Sequence, residues 1–241
     1  MKGVILRIAP QAEIIDITHD LAAYEIGEAA FVVEQSYRYF PKKTIHVVVV
    51  DPGVGSARRP ILMEAAGQYF IGPDNGVLTP VFTKEKHKVR EISAAKYFLS
   101  PLSRTFHGRD IFAPCAAHLA KGATPATFGK LITDQMRMFL PVPTRTSKRV
   151  WTGSVLRIDR FGNMITNFTT EEFSWVETHP FEMAVGMQPV RRLALNYTDC
   201  EPGELFLIHG SSGYLEVSAA QTSAAKLVGC GVGAPLELSV W

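Results

Sequence analysis

Over residues 1–135 the hydrophobic pattern switches repeatedly between two periods. EIIDIT (13–18) alternates as a short strand does, YEIGEAAFVVEQSYRY (24–39) repeats its apolar positions at helical spacing, and TIHVVVV (44–50) is one continuous apolar run. Four consecutive valines turn β-branched side chains to both faces, which predicts a strand buried in a parallel sheet. ILMEA (61–65) and QYFIG (68–72) predict a hairpin, followed by a turn at Pro73-Asp74-Asn75-Gly76. RDIFAPCAAHLAK (109–121) predicts a helix interrupted early by Pro114 and ended by Gly122. The alternation of helix and strand predicts an α/β class, with a mostly parallel central sheet in a larger N-terminal domain.

The pattern changes after residue 135. MRMFLPVPTRTSKRV (136–150) carries two prolines and a short basic run, which predicts an extended linker. Beyond it, 151–160, 181–186, 190–196, 204–209, 213–218 and 235–240 are short β-like pieces separated by turns. They predict a smaller, mostly antiparallel β-barrel-like domain over 151–241, joined by the linker to an α/β domain over 1–135.

Composition narrows the classes. With 46 % hydrophobic residues, 20 % charged and a formal net charge of +2, the chain is globular and offers no polyanion-binding surface, so nucleic acid is not an expected partner. No apolar run reaches the eighteen or so residues of a spanning helix, and residues 1–10 lack a signal-peptide pattern, so no membrane association is expected. Cys115, Cys200 and Cys230 are odd in number and lack CxxC spacing, which predicts neither a zinc site nor a disulfide framework and fits a reducing cytoplasm. The seven histidines show no HExxH or paired spacing, so no metal is expected.

The chemistry concentrates in a few polar, turn-rich segments. VVVVDPGVGSARR (47–59) delivers Asp51 to a Gly/Pro turn at the end of the apolar strand, where ligands gather in α/β sheets, and Arg58 follows seven residues later. SRTFHGRD (103–110) adds His107. An Asp-Pro-Gly turn is also ordinary turn chemistry, and one histidine without an oriented partner is no acid–base catalyst. GPDNG (72–76), IDRFGNMITN (158–167) and HGSSGYLE (209–216) set aromatic or small residues beside hydrogen-bonding groups, as in a pocket for a flat polar heterocycle with a charged tail. Phe106 and Phe161 offer stacking faces, and Asn75 and Asn163 offer donor–acceptor pairs. Asp159 can hold an ammonium, and Ser211 and Ser212 a carboxylate. Phe161 could equally plug the second core. No phosphate cradle is present, because DPGVGS lacks the GK[ST] ending and no GxGxxG follows a predicted strand.

In order and spacing, MKGVILRIAP, IIDITHDLAAYEIGEAAF, VVVVDPGVGSARRPI, YFIGPDNGVLT, SRTFHGRDIFAP, IDRFGNMITN and GSSGYLE resemble the S-adenosyl-L-methionine hydroxide adenosyltransferases, water-using relatives of the fluorinase and chlorinase. The resemblance implies hydrolysis of S-adenosylmethionine to adenosine and methionine, with that molecule as substrate and no cofactor. The family's catalytic Asp, Arg and His fall on Asp51, Arg58 and His107; Arg59 is the neighbouring alternative, and the family spacing favours Arg58. By the same resemblance Tyr24 and Phe106 line the adenosyl and ribose region, and Phe161 and Asn163 contact adenine. Asp159 takes the methionine ammonium, and Ser211 with Ser212 its carboxylate. At positions matching the halide pocket stand Asp51, Val54 and Gly108, and a carboxylate there repels a halide. A homotrimer is implied, with the ligand between one subunit's larger domain and its neighbour's small barrel.

One departure stands out. The family carries a further stretch ahead of MKGVI, a first strand and a TDFG-like turn whose aspartate binds the ribose diol, and the expectation is that real sequence lies upstream. The alternatives are a non-catalytic adenosyl-ligand binding protein of the same fold, and a halide-using relative.

Overall fold

The computed structural model describes all residues from Met1 to Trp241, in two compact units, Met1–Phe139 and Leu140–Trp241. In the first, helix α1 (Lys2–Ile8) precedes α2 (Ile26–Ser36), β1 (Ile45–Val47), β2 (Pro60–Ala65), β3 (Gln68–Pro73), α3 (Thr79–Lys84), β4 (His87–Glu91), α4 (Ala113–Ala120) and β5 (Leu131–Ile132). The strands form one sheet in the order β1-β3-β2-β4-β5.

That sheet is covered on both faces, but the expected buried strand over 44–50 is shorter and more peripheral: β1 spans only Ile45–Val47, lies at the sheet edge, and Val49 beyond it is exposed. Val48 and Val50 pack on the α2 side with Ala29, Val33, Met63 and Phe70. Ile45 and Val47 pack on the α4 side with Leu62, Ile71, Phe112 and Cys115. The α/β class holds, but the sheet is mixed and not mostly parallel: β1 and β3 run parallel, and every other pairing is antiparallel. The cause lies in the predicted hairpin. Ala66 and Gly67, at φ 54° and 74°, make a two-residue turn with both φ positive, which returns β3 antiparallel to β2.

Three further expectations shift. Residues 13–18 form no strand: their alternation is suited to one, but the backbone has no ladder partner, and Ile15 and Ile17 are exposed. Helix α2 stops at Ser36 and tightens into a 3₁₀ turn over Tyr37–Tyr39. The helix around Pro114 opens with a π turn, Gly108–Phe112. Pro114 has no N–H for the Asp110 carbonyl and its ring crowds that group, and the carbonyl instead accepts from the Leu99 N–H at 2.9 Å.

The second unit holds β6 (Thr144–Ser147), β7 (Val150–Ile158), β8 (Met164–Thr169), β9 (Phe181–Val185), β10 (Gln188–Val190), β11 (Leu193–Ala194), β12 (Leu205–His209), β13 (Tyr214–Ala219), α5 (Ala224–Val228) and β14 (Pro235–Val240). They curl into one large half-barrel sheet, antiparallel except for β11 with β12, around Phe168, Phe173, Met183, Leu215 and Leu238. Part of the expected linker is strand β6, paired with β7. Strand β8 was hidden in a segment read only for its polar turn. No helix in the chain is long and apolar enough to cross a membrane.

Candidate functional site

Asp51 sits at the end of the valine run, four residues beyond the last residue of β1. Val48 N–H still bonds the Ile71 carbonyl at 2.9 Å, and the Asn75 amide donates to the Val50 carbonyl at 2.8 Å while its oxygen accepts from Val77 N–H. Asn75 thus anchors the strand end that carries Asp51. Past it the chain doubles back in tight turns. Val54 N–H bonds the Asp51 carbonyl, Ser56 bonds the Gly53 carbonyl through both N–H and hydroxyl, and Arg58 N–H bonds Ser56 Oγ. These turns bring residue 58 back against residue 51. Gly55, at φ 80°, lies so close to the second motif that a Cβ there would come within 2.4 Å of the Arg104 carbonyl oxygen.

His107 caps the π turn, and the loop before it is tied down by Asp110, which is 1 % exposed and accepts from Ser103 N–H at 2.8 Å. The Arg109 guanidinium, aided by Ser103 N–H, outweighs burial and holds the Asp110 carboxyl below the usual carboxylate range.

Arg58 joins the two motifs. Its Nε donates to Asp51 Oδ1 at 2.9 Å and its Nη2 to Asp51 Oδ2, while Nη2 also donates to His107 Nδ1 at 2.8 Å. Both side chains of the ion pair are 6 % exposed, and the guanidinium lies over the Phe112 ring at 5.3 Å. Arg58 Nη1 is buried with no hydrogen-bond partner. Because Arg58 is always a donor, His107 Nδ1 is an acceptor, the ring is neutral, and its proton sits on Nε2. Burial first, and the Arg58 charge second, push the His107 pKa below its ordinary value, against the pull of Asp51 and Asp110. Arg59 turns away from this group, to Asp74 at 2.6 Å and Asp134 at 2.8 Å, which leaves Arg58 as the arginine of the cluster.

A cavity of roughly 330 Å³ opens beside Asp51, lined by Thr18, Leu21, Tyr24, Val50 and Pro52 among others. Tyr24, 77 % exposed and at φ 71°, therefore shares a cavity wall with Asp51. Phe106 is exposed next to His107, its ring under the Arg109 guanidinium at 5.2 Å. Thr18, at the end of the predicted strand 13–18, and Leu21 lie within the IIDITHDLAAYEIGEAAF motif, but nothing in the sequence singled either out as a cavity wall.

The second unit groups Asp159, Phe161 and Asn163 in one turn. Asp159 Oδ1 accepts from Phe161 N–H at 2.8 Å and Asn163 N–H at 2.9 Å, and Oδ2 accepts from the Asn163 amide at 3.0 Å. Asn163 is buried and its amide also reaches the Tyr197 hydroxyl, so within this unit it holds Asp159 in place. Phe161 is 69 % exposed and does not plug the core. Ser211 is exposed at the tip of the β12–β13 turn, and Ser212 Oγ lies 3.5 Å from Glu216 Oε1. Sequence reasoning passed over Tyr197 and Glu216: a tyrosine outside any motif and a glutamate in an alternating strand give no warning of burial. No group of three histidine, cysteine, aspartate or glutamate side chains is placed to hold a metal ion.

Comparison with known proteins covers both parts of the chain. Residues 1–129 match the SAM hydroxide adenosyltransferase N-terminal domain and residues 153–237 its C-terminal domain. An (R)-S-adenosyl-L-methionine hydrolase from Salinispora tropica is 35 % identical over 240 residues, 98 % of this chain and 90 % of that protein. A fluorinase from an Actinoplanes species is 27 % identical over 81 % of this chain and 72 % of its own length. A crystal structure of a conserved protein from Thermotoga maritima superposes with a TM-score of 0.91 at 34 % identity, covering 99 % of this chain and 93 % of the other. The chain belongs to the SAM hydroxide adenosyltransferase family.

Proposed function

We propose that this protein hydrolyses S-adenosyl-L-methionine to adenosine and L-methionine by in-line attack of one water at the ribose C5′. The new bond is oxygen to C5′, the broken bond is C5′ to sulfur, and the sulfonium leaves as a neutral thioether with the bonding pair. The leaving group therefore needs no acid, and the reaction balances with water alone, without a cofactor. What the site must supply is a held, oriented water and an acceptor for its proton.

The observation that carries this reading is the double attachment of Arg58 to Asp51 and His107 beside an open cavity. A water held on the lone pairs of the Asp51 carboxylate that Arg58 leaves free, with an oxygen lone pair directed at C5′, meets the requirement. With His107 Nδ1 engaged by Arg58, the acceptor for the proton is Asp51, and His107 steadies the guanidinium and offers its Nε2–H. Tyr24 and Phe106 line the adenosyl and ribose region, Phe161 and Asn163 the adenine end. Asp159 takes the methionine ammonium, and Ser211 with Ser212 its carboxylate. Asn75 acts through the strand end it anchors.

The test is adenosine release from S-adenosylmethionine, followed by chromatography with and without added halide. Stoichiometric adenosine and methionine in halide-free buffer supports the reading. Binding without turnover would make the protein an adenosyl-ligand binder, and turnover only with chloride a halogenase.

Two further parts of the proposal concern the whole protein. It is a homotrimer, supported by the family resemblance and by exposed apolar side chains such as Phe139 at 82 % and Leu195 at 90 %; sedimentation showing an active monomer would refute this. It works in a reducing cytoplasm, supported by three free cysteines, one of them the buried Cys115 with its thiol pushed up to about 12.

A further inference from the structure

Strand β13 alternates its side chains. Leu215, Val217 and Ala219 enter the half-barrel core, and Glu216 and Ser218 point to the opposite face. On that face Glu216 is nevertheless 7 % exposed and Ser218 0 %. The HGSSG turn closes over the carboxylate: a Cβ at Gly210 would come within 2.0 Å of Glu216 Oε1, so a larger residue there would displace the Glu216 side chain.

The groups acting on this buried carboxylate are Asp159, of the same charge, and the Ser212 hydroxyl at 3.5 Å; no basic side chain is among them. Burial and the Asp159 charge together raise the Glu216 pKa. Nearby, Ser218 is fully buried beside Tyr197. A buried acid that faces a like charge, with one long hydrogen bond from Ser212 to offset it, is costly unless a cation arrives.

Asp159 alone is poorly equipped to be that cation's whole site. Of the roughly four acceptor positions on a carboxylate, three on Asp159 are occupied by Phe161 N–H, Asn163 N–H and the Asn163 amide. A primary ammonium brings three donors. We propose that Glu216 is the second carboxylate of an ammonium site, sharing the substrate's α-ammonium with Asp159 and so determining specificity for an amino-acid tail on the sulfonium. The proposal rests on the reading of S-adenosylmethionine as the substrate.

The experiment compares the wild type with Glu216→Gln on two ligands, S-adenosylmethionine and its analogue lacking the α-amino group. For S-adenosylmethionine the variant should raise KM at least tenfold with kcat within about threefold, while kcat/KM for the deaminated analogue stays within about twofold of wild type. Equal losses on both ligands would mark Glu216 as structural, and an unchanged KM for S-adenosylmethionine would overturn the proposal outright. Calorimetric titration of both proteins with both ligands tests the same selectivity without turnover. A wild type that prefers S-adenosylmethionine over the analogue yet releases no adenosine would thus refute the hydrolase reading and leave the ammonium site supported, provided Glu216→Gln removes that preference.

Discussion

Asp51→Asn separates the chemical role of the carboxylate from its structural one. The amide keeps the volume and can still accept from Arg58 Nε, where Asp51 Oδ1 now sits at 2.9 Å, but it loses the charge and the acceptor facing Nη2. A hydrogen bond to a charged group contributes about 1.5–3 kcal/mol, so the stability loss should be of that order. Deleting the group altogether, as in Asp51→Ala, strands a guanidinium that is 6 % exposed and should cost about 3–5 kcal/mol. Against a total stability of about 5–15 kcal/mol the asparagine variant stays folded. Its chemistry should not survive as well. Removing a positioned general base lowers turnover by about 10²–10⁴-fold, equivalent to about 3–5 kcal/mol in the barrier. The assay is adenosine formation at saturating S-adenosylmethionine, with adenosine affinity measured by calorimetry on the same preparation. Adenosine affinity should stay within a few-fold. A turnover within threefold of wild type, or turnover and adenosine affinity falling together, would refute the assignment.

Other outcomes follow from the same geometry. His107 is neutral when it accepts from Arg58 and its pKa is lowered, so the unfolded chain binds this proton more readily; stability and turnover should both fall as pH drops below about 6.5 through the lowered value, and a pH–rate profile should lose that limb in His107→Asn. Arg58→Ala should abolish adenosine formation, whereas Arg59→Ala, which breaks contacts to Asp74 and Asp134, should lower the melting temperature and leave kcat within a few-fold; the reverse pattern in paired kinetic and melting assays would exchange their roles. Gly55→Ala drives a methyl into the Arg104 carbonyl at a positive φ, and should cost about 1–3 kcal/mol in denaturant unfolding together with a drop in turnover, because the two catalytic motifs meet there.

Periodicity made much of the first unit readable. The valine run, α2 and the β2–β3 hairpin each carry a local signal strong enough to be seen without context. The EIIDIT segment shows the limit of that signal, since alternation reports which faces a chain could present and not whether a neighbouring backbone exists to pair with it. The sheet's mixed direction was already implicit in the two-residue connection between residues 65 and 68, but the valine run pointed to parallel neighbours and outweighed it. Pro114 is ordinary in a first helical turn, so only the structure reveals the π turn that sets His107. Asp51 and His107 were marked by their motifs, yet the bond that unites them runs through an arginine seven residues from one and 49 from the other, a meeting made by turns and not by spacing. Glu216 was invisible as a site because its strand reads as one polar position on an open face.

The bridging arginine also fixes an electrical balance. Asp51 contributes one negative charge, Arg58 one positive charge and the neutral imidazole none, so the position from which C5′ is attacked carries no net charge. An anion approaching it would shed its hydration beside a carboxylate without a compensating positive field, whereas a water molecule gives up only hydrogen bonds that the cluster can return. Exchanging the carboxylate for a small neutral group would leave the guanidinium unopposed and turn the same position into an anion trap. Under the role proposed for Asp51, the identity of the nucleophile is governed by a single carboxylate, and conversion between water and anion chemistry on this scaffold is a change in electrostatics before it is a change in shape.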